Sequence, residues 1–233
     1  MTIKKIDGFY VDTSLSGKIS VGVESIRLNQ CLDYARSISA SGLYGHPFHG
    51  FFEKDLDFLS DYSGFECISF IPDKKFESID GVYFLKNLKD FSIFEKRPGI
   101  DFSKLSGLEK LNITYCKHDK GIGNLFRLVE LIFWHYNPKS KSFKDTEFPE
   151  NLELLQINWA NPSDLDGIPV LKNLRDLEFS RCRNLNSLAG LDIIAPNLER
   201  LYIDGSGKLD IENFNVKAFN KLNFRTANKK RII

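Results

Sequence analysis

Two histidines three apart, His46 and His49 in the stretch GHPFHG, form the one close imidazole pair in the sequence. Imidazole is a common zinc ligand, so such a pair could begin a metal site. No cysteine or carboxylate stands at ligand spacing beside them, and Pro47 keeps them off a helix. The pair therefore reads as a turn. Cys31-Leu32-Asp33 sets a thiol two residues from a carboxylate, the form of a nucleophile beside a base, but nothing groups it with an oxyanion site. Asn112-Ile113-Thr114 has the form of a glycosylation acceptor. Asp204-Gly205-Ser206-Gly207 reads as a turn and not as a phosphate loop. Dinucleotide, Walker and zinc-protease patterns and the nucleophile elbow are absent. The expectation is a non-enzyme with no catalytic residue, no metal and no cofactor.

The remaining chemistry is recognition by surface side chains, and a repeat positions them. LEKLNITYC (Leu108 to Cys116) and LRDLEFSRC (Leu174 to Cys182) share the pattern L-x-x-L-x-L-x-x-C. The same apolar positions open at Phe65, Leu88, Leu108, Leu128, Leu152, Leu174, Leu198 and Phe219. The steps are 23, 20, 20, 24, 22, 24 and 21 residues, a mean of 22. In each phrase the last two apolar residues lie two apart and share one face of a short strand. Leu85, Leu105, Leu125 and Leu171 precede their phrases by three residues and extend the core. No single turn buries enough surface to fold alone, so stability belongs to the stack. An earlier copy, VESIRLNQC (Val23 to Cys31), fits the phrase, and a degenerate one falls around Leu43 to Phe52.

Over about residues 60 to 226 the chain resembles the leucine-rich repeat family, nearer the 22-residue internalin-like bacterial class than the 28-residue ribonuclease-inhibitor class. Phe often replaces Leu, with 20 Phe in the chain. The ninth-position Asn of the family is replaced by Cys116, Tyr136, Ala160, Cys182 and Ser206. The resemblance implies an α/β-type solenoid, an arc with a parallel β-sheet on its concave face and irregular loops, short helices or 3-10 turns on its convex face. The expected division is an N-terminal cap with a degenerate repeat over 1–60, about seven to eight repeats over 61–226, and a tail over 227–233. Secreted bacterial ubiquitin ligases with such repeats carry a C-x-D nucleophile in a helical domain after them. Cys31 and Asp33 precede the repeats here, so that match is coincidental.

In a strand of this register the third, fifth and seventh phrase positions face away from the core, and the eighth lies at the edge. Those positions gather Phe94, Tyr115, Ile132, Trp134, Leu154 and Trp159 in four consecutive repeats. Both tryptophans of the chain are among them. Charged residues border the patch, including Asp90, Glu95, Lys110, Glu130, Asp176, Glu178, Arg181 and Arg200, with Tyr202 beyond. An aromatic centre with a polar rim is the composition of a protein-binding hot spot. The candidate partner-binding residues are Phe94, Tyr115, Glu130, Ile132, Trp134, Leu154, Trp159, Glu178 and Tyr202. The alternative is packing. A one-residue register shift would turn these side chains inward, and Trp159, before Ala160-Asn161-Pro162, could pack on the next loop. Tyr136 to Pro149 (YNPKSKSFKDTEFP) reads as an extended solvated connector, or a lip over one sheet edge.

The 233 residues carry 32 basic and 31 acidic side chains, a net charge of +1. That balance gives no support for nucleic-acid or membrane-surface binding. The basic end Asn228-Lys229-Lys230-Arg231 reads as a solvated terminus. No apolar run follows the first lysines and none approaches a membrane span. Four cysteines are few, and Cys116 and Cys182 at the ninth position, where a small side chain packs under the turn, suit free thiols and a reducing, cytoplasmic setting. The expected function is a non-catalytic protein-binding module, monomeric when unbound: an adaptor or, by analogy of fold and size, a bacterial toxin-neutralising immunity protein. The alternative is a substrate-recognition or regulatory subunit of a ligase or phosphatase complex, with residues 1–60 as its second docking surface.

Overall fold

The computed structural model describes residues 3–13, 17–94, 97–209 and 214–226. The tail 227–233, with its basic run, and the border residue Glu95 lie outside the described residues. The chain divides into two compact units, residues 1–113 and 114–233.

The first unit opens with an antiparallel hairpin of β1 (Ile3–Ile6) and β2 (Phe9–Asp12). Asp7 and Gly8 connect them with φ of 50° and 84°, the two positive values that a two-residue hairpin loop requires to match strand twist. β2 pairs antiparallel with β3 (Ser20–Gly22). From there pairing is parallel and in chain order through β4 (Gly42–Gly45), β5 (Cys67–Phe70), β6 (Asp90–Ile93) and β7 (Lys110–Thr114). Parallel neighbours need a crossover. Here it is helix α1 (Leu28–Ser37) after β3, and 3-10 turns later, at Asp57–Asp61, Asp80–Phe84 and Phe102–Lys104. Ile68, Phe91 and Leu111, the central anchors of their phrases, are fully buried side by side.

The second unit continues the rule with β8 (Glu130–Trp134), β9 (Leu154–Asn158), β10 (Asp176–Ser180), β11 (Arg200–Asp204) and β12 (Asn223–Thr226), all parallel. A short helix, α2 (Leu191–Ile194), follows β10. Leu131, Leu155, Leu177 and Leu201 stand in one register row and are buried. Each unit is thus a mostly parallel sheet with few helices, whose neighbour order follows the chain without closing into a barrel. No helix among the described residues is long and apolar enough to cross a membrane.

Four local expectations are corrected. Val23 to Cys31 is not a strand phrase: it runs through a 3-10 turn into α1. Its apolar spacing also suits a helix, and Cys31, Leu32 and Ala35 bury one helical face. Residues 1–60 hold a strand–helix–strand step from β3 to β4, and Leu43 of β4 stands in register with Ile68 of β5. Tyr136 to Pro149 is not a solvated connector. Tyr136, Phe143 and Phe148 are buried, with Tyr136 and Phe143 stacked at 5.1 Å and Phe148 edge-on to Phe133 at 6.3 Å. The charged residues around these rings hid an aromatic plug. Cys67 and Ser92 hold the third and fifth positions of their phrases, where alternation predicts an outward side chain, but both are buried. Cys67 Sγ lies 3.4 Å from Ser20 Oγ, over Gly42, which has no side chain to hold it away. The last phrase is shifted by two: Leu201 pairs with Phe224, so Phe224 and not Leu222 fills the fourth position. Phe224 is buried and Leu222 only half-buried. A shift of two keeps the same faces.

Candidate functional site

In the second unit the alternation of strand side chains works as the phrase predicts. Leu131 and Phe133, Leu155 and Ile157, Leu177 and Phe179 enter the core. Their neighbours rise on the opposite, open face: Glu130, Ile132 and Trp134 from β8, Leu154, Gln156 and Asn158 from β9, Asp176, Glu178 and Ser180 from β10. Ile132, Gln156, Glu178 and Tyr202 form one register row across four strands. Glu130, Leu154, Asp176 and Arg200 form another, in which Arg200 pairs with Asp176 at 2.5 Å.

At the end of these strands the backbone turns sharply. His135, Trp159, Arg181 and Gly205, the eighth positions of consecutive phrases, have φ of 52°, 50°, 56° and 64°. Each of the first three donates its N–H to the seventh-position carbonyl of the next strand: His135 to Asn158 (2.9 Å), Trp159 to Ser180 (2.8 Å) and Arg181 to Asp204 (2.6 Å). Positive φ in a residue with a Cβ costs about 1–2 kcal/mol. It recurs here at three non-glycine positions and projects their side chains as a column.

That column is stacked. The His135 and Trp159 rings lie 5.2 Å apart at an interplanar angle of 15°, and the Arg181 guanidinium sits 5.4 Å from the Trp159 ring centre. Trp134 joins from the seventh position of β8, 5.3 Å from Trp159. Trp159 thus packs against Trp134, His135 and Arg181. Both indoles are half-buried. Asn158, on the open face of β9, is buried; its Nδ2 donates to Phe133 O (3.2 Å) and its Oδ1 accepts from Gln156 Nε2 (3.2 Å). Gln156 Nε2 also reaches Glu178 Oε1 (3.2 Å), and Ser180 Oγ donates to the same oxygen (2.7 Å). The Glu178 carboxylate is therefore fixed by two neutral donors.

The structure brings together Trp134 and Trp159, and sets Glu130, Ile132, Leu154, Glu178 and Tyr202 around them on one face. Tyr115 is placed differently. It is half-buried with its ring against Tyr136 at 4.7 Å, lining a cavity of about 300 Å³ with Cys116, Asp119 and Thr146. Burial raises its hydroxyl above the usual tyrosine range. Phe94 belongs to the first unit; it is half-buried just after β6, where its N–H donates to Phe70 O. His135, Gln156, Ser180 and Arg181 were not among the candidates. They occupy the fifth, seventh and eighth phrase positions, so register could have found them, but the positive φ that gathers the eighth column has no residue signature at Trp159 or Arg181.

His46 and His49 serve structure. His46 Nδ1 accepts the Phe48 N–H at 3.0 Å, and the His49 ring packs on Tyr10 at 4.5 Å and Tyr44 at 5.7 Å. No cluster of three metal-ligating side chains occurs among the described residues. A second exposed apolar surface lies within residues 1–60: Ile26 and Phe48 are each 89% exposed and Phe52 56%. The Phe52 N–H is tied to Ser25 Oγ at 2.8 Å. Neither protein-family models nor curated protein sequences match the chain.

Proposed function

We propose that this chain is a leucine-rich-repeat-type solenoid and a non-catalytic protein-binding module, which grips a protein partner on the open face of β8 to β11. The observation that carries this reading is the Trp134–Trp159 pair, stacked with His135 and Arg181 on backbone held at positive φ. Large aromatic groups kept half-exposed, at a conformational cost, favour recognition over packing. The carboxylates of Glu130 and Glu178 supply the polar rim. A cytoplasmic adaptor or a bacterial toxin-neutralising immunity protein is the form of this function that the small repeat fold suggests.

A second reading is a recognition or regulatory subunit of a ligase or phosphatase complex. The exposed Ile26, Phe48 and Phe52 favour it, because such a subunit needs another docking surface. The two readings separate by substitution. Partner is first isolated from native extract on the immobilised protein, then titrated against purified wild type, Trp134→Ala and the double variant Ile26→Ser/Phe48→Ser. The module reading expects loss of binding in the first variant alone. Recruitment of an enzyme that is lost only in the second would favour the subunit.

A further inference from the structure

We infer that the partner residue seated on this face is an arginine, delivered by a basic loop or strand of the partner protein; this deepens the binding-module reading and rests on it. Across the three strands β8, β9 and β10 the sequence places three carboxylates, Glu130, Asp176 and Glu178, and no lysine or arginine. Asp176 is neutralised by Arg200. Glu178 is not: its bonds come from Gln156 and Ser180, both uncharged and both to Oε1, and no cation among the described residues pairs with it. A fixed carboxylate with neutral supports and a second oxygen that takes no part in them is a ready acceptor for the forked guanidinium.

The indole lies on the other side of the same strand. Trp134 leans from β8 toward β9, as its 5.3 Å approach to Trp159 requires, and Glu178 leans from β10 toward β9, as its bond to Gln156 requires. The outer strands are two spacings apart and Trp134 stands level with Ser180, two residues further along than Glu178, so the two backbones are roughly 12 Å apart, and the bond from Ser180 Oγ draws the Glu178 carboxylate toward the Trp134 row. A guanidinium lying over β9 meets a π-face on one side and a carboxylate on the other. The chain already uses this pairing, with Arg181 over Trp159, so guanidinium–indole contact fits the local geometry. An acidic peptide or a phosphate backbone would meet the Glu178 carboxylate with like charge, which disfavours them at this position.

Because Trp134 and Trp159 are the only tryptophans in the chain, tryptophan fluorescence, excited at the red edge where tyrosine does not absorb, reads this site alone. The test titrates the full chain with acetylated, amidated tetra-arginine and, in parallel, tetra-glutamate, at low and at physiological salt. Saturable fluorescence change with tetra-arginine, none with tetra-glutamate, and a Kd raised about tenfold by Glu178→Gln are expected. Ser180→Ala, which removes one support of the carboxylate, should raise Kd by a smaller factor. Melting curves of both variants check that they fold. No saturable change with tetra-arginine, equal affinity in Glu178→Gln, or preference for the acidic peptide would each overturn the inference. A natural partner lost by Trp134→Ala yet bound normally by Glu178→Gln would overturn it too, while leaving the binding-module reading in place.

Discussion

The rings of Trp134 and Trp159 lie 5.3 Å apart at 34°, although Trp134 ends strand β8 and Trp159 lies one residue beyond strand β9. The contact is possible because Trp159 adopts φ of 50°, which swings its side chain out of the strand's alternation and onto the open face. His135 and Arg181 do the same on either side. The account of this protein as a binding module depends on that column being built into the backbone and not chosen by the side chains.

If so, the eighth position should discriminate by backbone and not by polarity. Arg181→Gly loses a solvent-exposed cation–π contact worth about 0.5–1 kcal/mol but relieves a positive φ of similar cost. Its stability should stay within about 0.5 kcal/mol of wild type. Arg181→Val places a β-branched side chain in the same conformation and should cost about 2 kcal/mol. Urea denaturation of the two variants checks the difference; equal losses would mean the backbone relaxes freely.

Much of this was legible in the sequence. The phrase opening at Leu108 or Leu174 states strand, register and core face at once, because two-residue alternation inside a repeated period allows only one inward set. What the phrase could not state lies between strands. Tyr136 to Pro149 is mostly polar by composition, yet Tyr136 and Phe143 stack in the core; three aromatic residues without period carry no signal of burial. Val23 to Cys31 satisfies the strand phrase and a helical face equally, and its helix is decided by the packing of Cys31, Leu32 and Ala35. The eighth-position column depends on φ, which Trp and Arg do not announce.

The aromatic plug should behave as core. Phe143→Ala should cost about 3–5 kcal/mol. Tyr136→Phe removes only the hydroxyl that donates to Thr146 Oγ1 at 3.1 Å and should cost about 1 kcal/mol. Were the segment a solvated connector, both would be nearly silent in chemical denaturation.

Gly42 should admit no side chain. A Cβ there would sit 2.1 Å from Cys67 Sγ and 2.4 Å from Cys67 O, and the carbonyl belongs to the neighbouring strand. Gly42→Ala should destabilise by about 3 kcal/mol or more, and Gly42→Ala with Cys67→Ala should recover only part of the loss because the carbonyl remains. Full recovery would assign the clash to the thiol alone.

Alkaline pH should weaken the fold through Cys182. Burial pushes its thiol up to about 11 from 9.0. The folded pKa is raised, so the native state holds its proton while the unfolded chain releases it. This contribution is fully present below pH 9 and is lost as pH rises through about 11, a change of about 3 kcal/mol at most. Comparing the pH dependence of unfolding for wild type and Cys182→Ala isolates it. Parallel curves for the two proteins between pH 8 and 11 would contradict the assignment.

The central claim is that an indole pair on the open face of a repeat sheet is kept exposed to bind protein. Its most direct test is calorimetric titration of wild type and Trp134→Ala with the partner isolated from native extract, alongside their melting temperatures. The account predicts binding weaker by about 2 kcal/mol or more, with the melting temperature nearly unchanged. A large fall in melting temperature with unaltered affinity would make Trp134 a packing residue and contradict the account.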